Sequence, residues 1–416
     1  MKSPSTRSFQ EVLAEELRGT SARTLQKGEC QTDRRNVCRL CHASRVSYAD
    51  ELKAKEAALH RFWQAAVQVP TLEPLVRSPE GREYRTTTKR KAFQTRDGIQ
   101  LGLISPEEEG SLRPLSVIRC MIEPAPHADI YSAVQELIAG NTAREIAEVL
   151  RHVVVRGDAR EQTLIFTVDR ISGPFIRSAN ALSRALTRRV STIVGVFLYE
   201  DTTRGTHYLG SSDPHRQPRS RKLFGKPEIF TRVLGRPFLY PPFSFSQVNP
   251  SLAGRMVEVA GELLDLNGRR SLFDLYSGYG LFGLSLAQKS RRVLGMELSA
   301  ASVAAATRNA ERQRVTNARF LSHAITAESI AEALNGASGN DAVLLDPPRN
   351  GTAEGVLETI AARQPARVVH IFCNINLITS ELKRWSDSGY SAVRAIPFDM
   401  FPGTSSVEVV IGLKRE

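Results

Sequence analysis

From about residue 240 to the C-terminus, short apolar runs alternate with amphipathic stretches: SLFDLY, RRVLGMEL, ARFLSHA, DAVLLD and RVVHIFC, then YSAVRAIPF and VEVVIGL. Buried apolar strands separated by amphipathic helices build a doubly wound, largely parallel sheet, so residues 239–416 predict an α/β domain. Its ligand belongs at the carboxyl ends of the strands. Ahead of it, residues 126–238 read as a central α+β domain, with an amphipathic helical stretch over Ile130–Val154 and strand-like runs at 164–168 and 190–199. A loop rich in His, Pro and Arg, residues 204–222, comes next; it reads equally as a solvated linker or a nucleic-acid contact. Residues 29–125 combine four cysteines, a helical pattern over Tyr48–Phe62 and the alternating basic run GREYRTTTKRKAF, a strand with Arg85, Lys89 and Lys91 on one face. Residues 1–28 are polar, with a helical pattern around Phe9–Leu17, and read as an ordered arm or a frayed tail.

Charge adds a partner. Residues 241–416 hold 18 Lys+Arg against 17 Asp+Glu, which leaves residues 1–240 with 38 against 27 of the totals of 56 and 44. A cation excess confined to one part attracts polyanions through counterion release, so RNA or DNA is expected there. A general arginine preference gives the same excess without a partner. No apolar run approaches the roughly 20 residues that cross a bilayer, and MKSPSTRSFQ lacks a signal-peptide core, so a cytoplasmic protein without a membrane partner is expected, as a monomer.

The glycines of DLYSGYGLFGLSLA sit where the first strand of the α/β domain turns into a helix, placing Gly278 and Gly280 where backbone approaches a ligand. Glu297 ends the second strand about 20 residues on, where a carboxylate accepts both ribose hydroxyls of a nucleoside cofactor. Asp346 ends the fourth in LLDPPRNG; Pro347 and Pro348 stiffen the backbone after it and leave Arg349 to face a flat ligand. This order suits S-adenosylmethionine better than a dinucleotide. Gly283 completes the dinucleotide spacing too, and within this segment the two readings stand together.

Cys373 ends the fifth strand in VVHIFCNIN, at the same sheet edge as Gly278, Glu297 and Asp346. Structural cysteines also occupy apolar strands, but an exit position with Asn374 next to it suits a reacting thiol. With FSFSQVNP, GMELSAASVAAATRNAERQRVTNARF, LLDPPRNG, FCNIN and DMFPGTSSVEVV in order, the chain resembles the RNA uracil-C5 methyltransferases, which form 5-methyluridine in transfer and ribosomal RNA. The resemblance implies Cys373 as nucleophile, Glu408 as general base, and Gln247, Tyr276, Glu297 and Asp346 as cofactor contacts. The chemistry asks for such a pair: C5 of uracil is a poor nucleophile until a thiolate adds at C6, and a base must then take the C5 proton. The uridine must be looped or flipped out of its stack. Phe372, Ile375, Leu281 and Ser406 stand where the family usually has Ser, Pro, Asn and His, and none of them is a reacting group.

The other cysteines, Cys30, Cys38, Cys41 and Cys120, in the context CRLCHASRVSYADELKAKEAALHRF, resemble the iron–sulfur ligands of one branch of the family. The usual form is C-x5-C-G-G-C; here it is C-x7-C-R-L-C. Four thiolates hold a four-iron cluster or one zinc ion, and reduced free thiols are the alternative. Cluster-bearing relatives act on ribosomal RNA, so the resemblance favours rRNA over tRNA. Some relatives carry an additional N-terminal RNA-binding β-barrel, and the 29 residues before Cys30 are too short for one. Rivals are an RNA-binding or RNA-folding protein without turnover, against which Cys373 and Glu408 speak, and a cytosine-C5 methyltransferase, whose Pro-Cys motif is absent.

Overall fold

The computed structural model describes residues 7–22, 30, 38, 40–67, 70–96, 98–106, 112–140, 143–201, 203 and 219–416. They fall into two compact units: one within residues 1–22, 46–79 and 230–416, the other within 23–45 and 80–229. Most of the 204–222 loop and part of the N-terminal arm lie outside the described residues.

Two helices open the first unit, α1 (Phe9–Arg18) and α2 (Tyr48–Ala66). A Ser8 capping box starts α1 and Ser47 caps α2, each side-chain oxygen accepting an otherwise orphaned backbone N–H. Sequence pattern grouped α2 with the cysteine segment, yet it packs in the first unit, because Ala58, Leu59, Phe62 and Trp63 share a core with Phe9, Leu13, Ile378 and Trp385.

The second unit holds β1 (Thr87–Thr95), β2 (Gly98–Pro106), β3 (Leu112–Ser116), α3 (Ala125–Ile138), α4 (Arg144–Val149), β4 (Leu150–Gly157), β5 (Gln162–Val168), α5 (Gly173–Arg189), β6 (Ile193–Glu200) and β7 (Ser220–Gly225). Its strand order is β3-β2-β1-β4-β5-β6-β7, with α3, α4 and α5 over one apolar face. The expected helix through Val154 breaks into two helices and a strand: the β-branched run Val153–Val155 is buried between β1 and β5. On β1, Arg90 turns inward to pair bidentately with Glu123 (2.7 and 2.8 Å) over the Tyr131 ring. Burial and neighbouring Arg85 lower the ammonium pKa of Lys89.

After the ribbon β8 (Ile229–Val233) and β9 (Arg236–Tyr240), the first unit resumes with α6 (Pro250–Leu263), β10 (Leu272–Leu275), α7 (Leu281–Leu286), β11 (Val293–Glu297), α8 (Ala300–Arg312), β12 (Ala318–Ser322), α9 (Ala327–Ala333), β13 (Ala342–Leu345), α10 (Val356–Ala362), β14 (Arg367–Phe372), α11 (Ile378–Asp387), β15 (Tyr390–Phe398) and β16 (Glu408–Arg415). Sheet order is β12-β11-β10-β13-β14-β16-β15, parallel from β12 to β14 and closed by two antiparallel strands. Strand order reverses between β10 and β13, so the crevice at their carboxyl ends is the switch point of the sheet. Among the described residues no helix is long and apolar enough to cross a membrane.

Candidate active site

The glycine turn is sharply folded. Tyr276, Gly278 and Gly280 all have positive φ (64°, 54° and 86°), which for a tyrosine is a strained setting. A Cβ at Gly280 would meet Leu284, Phe320 and Ala306 at 3.0–3.2 Å, whereas one at Gly278 meets nothing within 4 Å. Crowding therefore requires glycine at 280, while 278 faces open space. Gly283, the third glycine of the dinucleotide spacing, lies inside α7 and gives its N–H to Asp274 (2.8 Å).

Glu297 stands at the end of β11 and braces this turn: one carboxylate oxygen accepts Gly278 N–H (3.1 Å) and the other Ser299 N–H (2.8 Å). Each oxygen keeps a lone pair for a further donor. Asp346 comes directly after β13, where Gln247 donates to it at 3.3 Å. Tyr276 comes directly after β10, the neighbouring strand, and burial pushes its phenol up to about 12.

Cys373 and Glu408 meet through strand register. β14 and β16 pair with Phe372 opposite Val409, which sets the next residue out, Cys373, beside Glu408. The thiol donates to Pro347 carbonyl at 3.6 Å, and Asn374 Nδ2 donates to Arg349 carbonyl at 3.2 Å, so the DPPR loop is tied to the strand exit. Burial, then Glu408 and Asp346, push the Cys373 thiol up to about 12, with Arg349 opposing. Burial and the Asp346 carboxylate likewise raise Glu408, and burial raises Asp346. Burial holds Asp274 at about 7. The crevice thus concentrates buried acid, and Asp274 Oδ1, Ser277 Oγ and Glu408 Oε2 are buried there without a hydrogen-bond partner. Such a set fits a cationic ligand bearing its own donors, as a sulfonium with an α-amino group does.

Three of the departures from the family pattern are packing residues, and the fourth, Ser406, is a half-buried serine whose N–H donates to Thr404 Oγ1 at 3.2 Å. Phe372 stacks on His370 at 3.9 Å, and Ile375 and Leu281 are buried. Arg349, expected to face a flat ligand, has its guanidinium 6.0 Å from the Phe401 ring. Sequence reasoning missed Asp274, whose signal was its place two residues before the glycine turn's Tyr276. It also missed the buried His370, to which Trp385 Nε1 donates (3.2 Å) and whose Nε2 lies 3.2 Å from Glu381.

In the second unit Cys30, Cys41 and Cys120 pack against one small apolar cluster of Tyr84, Met121 and Ile122. A hydrogen bond with Cys41, then burial, raise the Cys120 thiol well above its usual range. Cys38 is also a described residue. Among the described residues, no group of three or more His, Cys, Asp or Glu side chains is placed to hold a metal ion.

The tRNA (uracil-5-)-methyltransferase family model matches residues 228–416. The chain is 29% identical over 387 residues to an uncharacterized RNA methyltransferase of Gloeobacter violaceus, covering 91% of this chain and 81% of that protein. A Thermotoga maritima uncharacterized RNA methyltransferase is 28% identical over 391 residues, covering 91% and 83%. Among solved structures, the Pyrococcus abyssi tRNA (uracil-54, C5)-methyltransferase in complex with S-adenosyl-L-homocysteine shares the fold, with a TM-score of 0.66, 22% identity, and coverage of 90% of this chain and 85% of that one. Likeness over 91% of the chain, the family model over residues 228–416 and the glycine-turn crevice at the sheet's switch point lead to one placement: the chain is an RNA methyltransferase with a class I methyltransferase fold, similar to the tRNA (uracil-5-)-methyltransferases.

Proposed function

We propose that this enzyme methylates C5 of one uridine in a structured cytoplasmic RNA, ribosomal RNA before transfer RNA, through a covalent bond between Cys373 and C6. The observation that carries the proposal is the β14–β16 register, which sets a thiol beside a buried carboxylate at the end of the cofactor crevice. Cys373 passes its proton to solvent and its thiolate adds to C6, moving the electron pair onto the C5–C4–O4 enolate. When bound, S-adenosylmethionine supplies the methyl electrophile that C5 takes up. Glu408 removes the C5 proton, the C5–C6 double bond re-forms, and the thiolate leaves. A raised Glu408 suits that work, since a base matched to neutral pH transfers protons more readily than an ordinary carboxylate. Glu297, Gln247, Tyr276 and Asp346, with the turn at Gly278 and Gly280, would hold the cofactor.

The basic second unit would grip the RNA around the target. Cys30, Cys38, Cys41 and Cys120 would hold a four-iron cluster, with zinc as the alternative; the soft thiols of Cys30, Cys41 and Cys120, gathered on one apolar cluster, suit either. Its task there is structural or RNA-facing, because methyl transfer involves no net redox change. Resemblance to the cluster-bearing branch favours rRNA, and the name of the matched family favours tRNA. Nucleoside mass spectrometry separates them: rRNA and tRNA from cells lacking the gene are incubated with purified enzyme and methyl-labelled S-adenosylmethionine. Label in 5-methyluridine of rRNA is expected; label only in tRNA transfers the substrate, and no 5-methyluridine in either overturns the proposal.

A further inference from the structure

A set of fully buried charged residues on α2 plays no part in the chemistry above. Lys55 and Glu51 are both 0% exposed, one helical turn apart. Lys55 Nζ has a partner for each of its three hydrogens: Glu51 Oε1 at 2.8 Å, Asp399 Oδ1 at 2.7 Å and Phe401 carbonyl at 3.2 Å. Glu51 in turn accepts Gly403 N–H. Tyr48 donates to Asp399 Oδ2 at 3.0 Å and accepts Ser78 N–H at 2.9 Å, and Asn249 donates to Ser78 and to Met400 carbonyl.

Every one of these loop contacts falls on residues 399–403, the start of the connection from β15 to β16. That connection begins beside the reacting groups and returns to them. Phe398 pairs with Glu408 across the two strands, so the loop is closed at its base by the proposed general base itself. Phe401 lies against Arg349, the cation that opposes the upward shift of both Cys373 and Glu408. A buried ion cluster is a poor way to gain stability, since apolar residues of the same volume do as well or better; what it gives is one fixed geometry.

We infer that Lys55 and Glu51 are positioning residues for the methyl transfer: from α2 they fix the 399–403 loop, and through it the placement of Glu408 and of Arg349 over Phe401. The inference deepens the proposed function and rests on Glu408 and Cys373 acting as described there.

Glu51→Leu is the decisive variant. It leaves the balanced Lys55–Asp399 pair in place and removes the carboxylate that Lys55 Nζ and Gly403 N–H share, and a cooperative thermal melt checks that the variant is folded. Glu51→Gln keeps a carbonyl oxygen for that N–H and serves as the conservative rescue. The full-length protein is compared by single-turnover 5-methyluridine formation, by calorimetric S-adenosylmethionine binding, and by hydrogen exchange resolved to peptides. For Glu51→Leu a rate loss of about tenfold to hundredfold is expected, the cost of a displaced reacting group, with cofactor affinity within about twofold of wild type. Exchange should quicken in 399–406 and stay unchanged in β10 to β14, and Glu51→Gln should restore both rate and protection. Wild-type turnover and loop protection in Glu51→Leu overturn the inference. So does a rate loss matched by cofactor loss, or one that Glu51→Gln does not rescue. If the wild-type enzyme makes no 5-methyluridine, the proposed function fails, and the exchange comparison still decides whether Glu51 fixes the loop.

Discussion

Replacing Glu297 with alanine separates two tasks that one carboxylate performs. Its two oxygens accept Gly278 N–H at 3.1 Å and Ser299 N–H at 2.8 Å, so without cofactor it already holds the glycine turn. Hydrogen bonds to charged acceptors contribute about 1.5–3 kcal/mol each, and partial exposure lets water replace part of that, leaving a net loss of about 1–2 kcal/mol. At about 2–4 °C per kcal/mol, the cofactor-free protein should melt about 2–8 °C lower. If the carboxylate also accepts the ribose hydroxyls, binding loses a further 1.5–3 kcal/mol or so, about tenfold to 150-fold in Kd. Scanning calorimetry of the free protein and titration calorimetry with S-adenosylmethionine read the two effects apart. Glu297→Gln, which keeps one acceptor, should fall between. Affinity within twofold of wild type in Glu297→Ala would refute the ribose contact and reduce Glu297 to a brace of the turn.

Cys373→Ala should abolish methyl transfer while S-adenosylmethionine still binds, and Glu408→Gln should accumulate a covalent RNA–protein adduct on denaturing gels; full activity in either variant removes that residue from its role. Affinity for S-adenosylmethionine should rise between pH 6 and pH 8, and rise more than that for S-adenosylhomocysteine, because losing protons from Asp274, Asp346 and Glu408 favours a cation; parallel pH profiles for the two ligands would contradict this. The same Asp274, raised from 3.8 to about 7, adds stability that is full below pH 3.8 and lost as pH climbs through 7, so the melting temperature of the free protein should fall across that window and the gain on adding cofactor should grow. Anaerobically purified protein should carry about four irons per chain, and Cys41→Ser should lose them and weaken RNA binding while S-adenosylmethionine binding persists; stoichiometric zinc would replace the cluster with a zinc site.

The C-terminal sheet was legible because its period is local. Runs such as DAVLLD and RVVHIFC carry their burial in consecutive residues, and the glycine turn declares itself beside them. The Cys373 and Glu408 pair was legible only through resemblance: 35 positions separate the two, and nothing in either segment says that β16 runs antiparallel beside β14. The break at residues 140–150 was misread because Arg144–Val149 continues the helical spacing of α3 up to the Val153–Val155 strand, and burial between β1 and β5 then overrides it. Lys55 shows the same limit most clearly. A helical wheel puts it on the buried face with Ala58, Leu59 and Phe62, four residues after Glu51, but only the loop 344 positions away shows which groups pair with the buried ion.

The central claim is a covalent bond from Cys373 to C6 of a uridine that has just been methylated. RNA carrying 5-fluorouridine tests it directly, because Glu408 cannot remove fluorine as it would a proton, so the methylated adduct cannot eliminate. After incubation with S-adenosylmethionine, nuclease and protease digestion, mass spectrometry should find one modified peptide, containing Cys373 and bearing a fluorinated, methylated nucleotide. An adduct on another residue, or none from enzyme that binds both cofactor and RNA, would contradict the account.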